Sequence, residues 1–112
     1  MENLSKIIEF ISIYCIDEYC SFSFIFGSIA KGNENPNDCD LFWVTNTAPD
    51  TIKWKKMKAF ILLMKQDFND KFNLKLNIAL NTMSEFKEGS DFKDRILSKP
   101  IIKIKNDIQH LL

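Results

Sequence analysis

Two aspartates, Asp38 and Asp40, stand two apart in the run DCDLFWVT, and nine residues separate them from a glycine–serine pair, Gly27 and Ser28, that closes the run SFSFIF. On an extended strand, side chains at i and i+2 point to one face. The two carboxylates therefore converge, while Cys39 and Leu41 turn into the opposite layer. Neighbouring carboxylates repel unless a cation lies between them, and oxygen donors of this kind suit Mg²⁺ held jointly with substrate phosphates. The glycine has a complementary use. Leaving a buried strand, it lets the backbone approach a ligand, and Ser28 follows where a short helix can begin, with free amides and a hydroxyl to meet a phosphate.

Both halves of this arrangement depend on strands to hold them. Residues Ser21 to Phe26 are rich in aromatic and β-branched types and end abruptly at Gly27, which predicts a buried strand. Ser28 to Asn37 contains Gly32, Pro36 and three asparagines, the densest loop chemistry in the chain, and Asp38 to Thr45 follows as a second strand. Upstream, Leu4, Ile7, Ile8, Ile11, Tyr14 and Cys15 recur at helical spacing and form one apolar stripe. Downstream, Thr47 and Asp50, with Pro49 between them, mark a helix start. That helix runs from about Thr51 to Asp70 and places Trp54, Met57, Ile61, Met64 and Phe68 on one face.

Leu74, Leu76, Ile78 and Leu80 then alternate with Lys75, Asn77, Ala79 and Asn81, a third strand whose second face is partly polar. Thr82 and Glu85 form a capping box opening a short helix, Ile101 to Lys105 reads as a fourth strand at an edge, and Asp107 to Leu112 as a terminal helical turn. The expected order of elements gives a mixed α/β or α+β layer fold, in one domain spanning residues 1–112.

Composition removes several kinds of chemistry. The chain has 112 residues, 46% of them hydrophobic, enough for one core of modest size. Its single histidine, His110, argues against a Ser-His-Asp triad and against a His-rich zinc site. Cys15, Cys20 and Cys39 are odd in number and lack CxxC spacing, so they read as reduced, packed thiols. Glu2, Glu9, Asp17 and Glu18 interrupt the N-terminal apolar segment, which excludes a signal peptide, and the run Phe60 to Met64 is far too short to span a membrane. A cytoplasmic protein is expected. Net charge is zero, which disfavours a strongly basic nucleic-acid binder, yet residues 1–50 carry eight acids and two bases while residues 51–112 carry seven acids and thirteen bases.

Taken together, an apolar residue, Gly27, Ser28, nine further residues, Asp38, an apolar residue, Asp40 and another apolar residue resemble the signature of the DNA polymerase beta nucleotidyltransferase superfamily. The length and element order are similar to its minimal nucleotidyltransferase (MNT) branch, and the resemblance covers about Ser21 to Asn81. It implies the nucleotidyltransferase fold, α+β with a small mixed sheet of about four strands flanked by helices, with Gly27 and Ser28 holding a nucleoside triphosphate, ATP, and Asp38 and Asp40 holding Mg²⁺, two ions in the family. It further implies transfer of AMP to a hydroxyl of a partner protein, as in toxin–antitoxin pairs in which an MNT antitoxin silences a HEPN ribonuclease toxin.

One position departs from the pattern. The family's third carboxylate, which serves the catalytic metal and helps deprotonate the nucleophile, falls here on Asn77, whose amide can ligate through oxygen but cannot accept a proton. Loss of a general base costs about 10²–10⁴ in rate. The alternatives are a shifted register, substitution by Asp67, Asp70 or Glu85, or a catalytically impaired module that neutralises or scaffolds its partner by binding alone.

The remaining candidates have structural readings beside the functional ones. Lys31 either touches a phosphate or is simply exposed. Lys53, Lys55, Lys56 and Lys58 form a solvated helix face that can also meet a triphosphate, RNA or an acidic partner. Trp54, Trp43 and Cys39 read as packing residues, and His110 as a surface residue near the chain end.

Overall fold

A computed structural model describes residues 3–89 and 91–105 of the chain. Four strands, β1 (Phe22–Phe26), β2 (Asp38–Thr45), β3 (Lys75–Thr82) and β4 (Ile102–Lys105), form one sheet in the order β3-β2-β1-β4. β1 pairs antiparallel with β2 and with β4, whereas β2 and β3 are parallel. A parallel pair requires a crossover, and the 21-residue helix α3 (Ile52–Phe72) supplies it.

The other helices are α1 (Leu4–Tyr14), α2 (Gly27–Ala30), α4 (Met83–Glu88) and α5 (Asp91–Leu97). The mixed sheet flanked by helices and the edge position of β4 agree with the sequence reading. Two short helices are additions to the expected order. One is α2, at the place where a helix start was anticipated. The other is α5, whose signals are Asp91 and Asp94 in its first turn and the apolar pair Phe92 and Ile96 at i and i+4.

Alternation along the strands builds two cores. On one face Ile25, Cys39, Leu41, Trp43 and Leu76 pack with Ile7 and Ile11 of α1 and with Met57, Ile61, Met64 and Phe68 of α3. On the other, Phe22, Phe24, Phe42 and Val44 pack with Phe86 of α4 and Ile96 of α5. Burial of each large apolar side chain contributes about 1.5–3 kcal/mol. Phe24 and Phe42, opposite each other in the β1–β2 register, stack at 4.8 Å between ring centroids and 5° between planes. Trp43 is fully buried and its Nε1–H donates to the carbonyl of Tyr19 at 3.0 Å, which satisfies the one polar atom it brings into the core.

Capping chemistry sets the ends of the helices. Thr51, rather than Thr47, caps α3, its hydroxyl accepting from the Trp54 amide at 3.1 Å, and Asn73 ends that helix in the left-handed conformation at φ 53°. The reciprocal bonds between Thr82 and Glu85 at the start of α4 are those expected from the sequence. Asp107 to Leu112, including His110, lie outside the described residues.

Candidate functional site

β2 begins at Asp38, and its first turn of alternation sends Cys39 and Leu41 into the α1/α3 core and leaves Asp38 and Asp40 on the opposite face, both half-buried. The parallel register sets Asn77 of β3 beside Asp40. On β3 it is therefore Asn77 that meets the two aspartates. The Asn77 amide nitrogen donates to Asp38 Oδ2 at 3.0 Å and to Asp40 Oδ1 at 3.1 Å. One neutral donor thus sits between two carboxylates, at the point where a cation would relieve their repulsion. The amide oxygen, turned into the same place, would face two like partial charges, so the nitrogen is held inward.

The antiparallel register brings the end of β1 to the same spot, with Phe26 opposite Asp40. Gly27 follows at φ +75°, a conformation that L side chains rarely adopt, and a Cβ there would lie 2.4 Å from Asp40 Oδ2. Glycine is therefore required twice, for the backbone turn and for the space that the Asp40 carboxylate occupies. Ser28 is the second residue of α2, and the Ser28 carbonyl accepts from the Asn33 amide at 3.0 Å, folding the following loop back on the turn. Buried Ile29 pins α2 to the core. Gly27, Ser28, Asp38, Asp40 and Asn77 are consequently gathered at one end of the sheet by three neighbouring strands, although they span fifty residues of sequence.

Comparison with solved structures decides what this arrangement of elements is. A structure from Sulfolobus solfataricus described as a nucleotidyltransferase is similar over 95% of this chain and 86% of its own, at a TM-score of 0.55 and 15% identity. A toxin–antitoxin complex with AMP-PNP is similar over 95% of this chain and 75% of its own, at 0.55 and 16%. The chain has the nucleotidyltransferase fold. A third similar structure, the toxin–antitoxin pair MntA-HpeT carrying two aspartate-to-glutamate substitutions, covers 95% of this chain and 75% of its own at a TM-score of 0.53 and 15% identity. No protein-family model and no curated protein matches the sequence.

Within this nucleotidyltransferase fold, none of the carboxylates weighed as substitutes for Asn77 reaches the site. Asp67 lies on α3, on the other side of the sheet, where it accepts the Tyr14 hydroxyl at 2.5 Å; Asp70 is an exposed residue of the same helix, and Glu85 is occupied in its capping box. The Asp67 bond holds the Tyr14 phenol above its usual range, because an ionised phenol would lose it. Among the described residues no group of three His, Cys, Asp or Glu side chains is placed to hold a metal ion. Asp38 and Asp40 still offer two carboxylates on one face, and Asn77 an amide oxygen if it turns. Those hard oxygen donors fit Mg²⁺, which is held through one or two carboxylates with the remaining positions left to water and phosphate.

Cys39, between the two aspartates in sequence, is fully buried in the other layer, and burial, with the charges of Asp40 and Asp38 adding to it, pushes its thiol up to about 12. It is a neutral packing group. Lys53, Lys55, Lys56 and Lys58 are exposed on α3, and Trp54 packs half-buried against the α1/α3 core. No helix among the described residues is long and apolar enough to cross a membrane.

Lys31 is exposed after α2 and shares a cavity of about 220 Å³ with Gly27, Arg95 and Lys99. Sequence reasoning missed the last two, because they belong to α5 and the turn after it. The i, i+4 spacing of Arg95 and Lys99 behind an acidic first turn was the available signal.

Proposed function

We propose that this chain binds ATP with Mg²⁺ at Asp38, Asp40, Gly27 and Ser28 and transfers AMP to a hydroxyl of a partner protein, the HEPN-type toxin of a toxin–antitoxin pair. The observation that carries the reading is the convergence of both carboxylates on one point, 3.0 and 3.1 Å from the Asn77 nitrogen, directly above the glycine turn. The similarity to toxin–antitoxin structures, one with AMP-PNP and one altered at two aspartates, supports the choice of nucleotide and partner.

In such a transfer the acceptor oxygen attacks the α-phosphorus, the bond from that phosphorus to the bridging α–β oxygen breaks, and pyrophosphate leaves with the electron pair. The acceptor proton must pass to a base. Asn77 cannot take it, so the carboxylate oxygens of Asp38 and Asp40 are the bases within this chain's site. Bound Mg²⁺ supplies positive charge against the phosphate oxygens. Asp38 and Asp40 would hold it, and the open turn at Gly27 leaves room for phosphate beside them.

Purified chain incubated with α-labelled ATP, Mg²⁺ and the toxin encoded beside it is expected to label the toxin, and Asp38→Ala to abolish labelling. Absence of labelling by the natural chain, with the complex formed, sinks the transferase reading. That outcome favours the second reading, a binding module that neutralises its partner by contact. The amide between the two carboxylates is the observation on its side, since it satisfies them without a metal. Asn77→Asp separates the two: appearance or a sharp rise of transfer marks a degenerate enzyme, and unchanged cellular neutralisation by Asp38→Ala marks a module indifferent to metal chemistry.

A further inference from the structure

The cavity beyond Gly27 is not accounted for by the two aspartates. It lies between the glycine turn and α5, and its walls carry three cations, Lys31, Arg95 and Lys99, with Phe26 and Phe92 on the apolar side and no carboxylate. Among the described residues, none of the three cations has an acidic partner. Like charges gathered around one hollow repel one another unless an anion enters it, and the apolar wall excludes water from one side, which strengthens attraction to such an anion.

Gly27 is common to this cavity and to the aspartate site, since its Cβ position abuts Asp40. The hollow therefore adjoins the aspartate site through Gly27. Resting on the reading of Asp38 and Asp40 as a nucleotide site, we propose that Arg95 and Lys99, together with Lys31, bind the β- and γ-phosphates of a nucleoside triphosphate whose α-phosphate lies at the aspartates. The base and ribose extend from the α-phosphate in the other direction. A nucleoside in the cavity would leave three cations unneutralised, whereas the phosphate tail matches them in charge. A planar guanidinium such as Arg95 is suited to two phosphate oxygens at once, and the lysines act as point charges. The consequence is selection by phosphate number, with triphosphate bound in preference to monophosphate.

Calorimetric titration of the full chain with ATP, ADP and AMP, each with Mg²⁺, tests this. The double variant Arg95→Ala/Lys99→Ala is expected to bind ATP about 100-fold more weakly, at roughly tenfold for each charged contact removed. ADP should lose less, and AMP less than about threefold, because its single phosphate does not reach the cavity. Both side chains are exposed, so the variant should fold as the natural chain does, checked by its circular dichroism melt.

A measurement on the unmodified chain is independent of folding: inorganic tripolyphosphate should displace ATP. Equal losses for ATP and AMP would instead place a nucleoside in the cavity and overturn the proposal. No loss for either ligand, or failure of tripolyphosphate to compete, also overturns it. Failure of the transferase reading is distinguishable. A chain that binds ATP through its tail yet labels no partner keeps this inference and loses the other, and a double variant that labels its partner and binds ATP as tightly as the natural chain does the reverse.

Discussion

Replacing Asn77 by aspartate changes one donor into a charge at the most crowded polar point of the sheet. In the natural chain the amide nitrogen donates to both neighbouring carboxylates at 3.0 and 3.1 Å. The variant puts a carboxylate oxygen in that place and loses both hydrogen bonds, each to a charged acceptor. Unit charges 4 Å apart at an effective dielectric of 20 repel by about 4 kcal/mol, and the half-exposed position of the group reduces this through solvent screening. With the lost hydrogen bonds included, Asn77→Asp should destabilise the chain by about 2–4 kcal/mol in chelator, lowering Tm by roughly 8–15 °C for a domain of this size.

Divalent cation reverses the sign. Mg²⁺ at about 100 times its dissociation constant returns about 2.7 kcal/mol to the state that binds it, and three carboxylates bind it better than two. The assay is thermal unfolding by circular dichroism of both proteins, in EDTA and in millimolar Mg²⁺. The variant should melt well below the natural chain in EDTA and gain more from Mg²⁺ than the natural chain does. A variant as stable as the natural chain in EDTA, and indifferent to Mg²⁺, would refute the convergence of Asp38 and Asp40 on position 77.

Three other expectations follow from single observations. Gly27→Ala forces a Cβ to 2.4 Å from Asp40 Oδ2 at a positive φ, so it should cost about 1–3 kcal/mol by chemical denaturation and weaken Mg²⁺-ATP binding together; binding intact at unchanged stability counts against the close approach. Trp43→Phe leaves the Tyr19 carbonyl without the indole donor and should lower stability by about 1–3 kcal/mol in urea unfolding, without affecting ATP binding. Because the Tyr14 phenol is held above its usual range, its contribution to stability is complete below the unfolded value near 10 and is lost as pH rises through the higher folded value. Tyr14→Phe should therefore flatten the alkaline fall in stability above about pH 10, and an unchanged pH profile would remove Asp67 as the cause.

The alternation DCDLFWVT, the abrupt stop at Gly27 and the 3.6-residue period of Met57, Ile61, Met64 and Phe68 were legible because each is a local consequence of strand or helix geometry. They placed the two aspartates on one face and predicted a layered fold of strands and helices. Other features were less visible. Thr47 matched a capping pattern as well as Thr51 does, and only the path of the chain into α3 selects between them. α5 is short, so its periodicity has little length in which to declare itself.

Residue type and spacing determined which groups can do chemistry here, two carboxylates two apart and a glycine–serine turn, whereas Asn77 was singled out only by the family resemblance. What those groups touch was decided by tertiary structure. The parallel register of β2 and β3 puts Asn77 between Asp38 and Asp40, the antiparallel register of β1 and β2 sets Gly27 beneath Asp40, and the docking of α5 turns Arg95 and Lys99 toward the same end of the sheet. Strand pairing joins residues tens of positions apart through backbone hydrogen bonds that almost any side chain permits. Registers of that kind are chosen by the whole core, so no local pattern in the sequence states them.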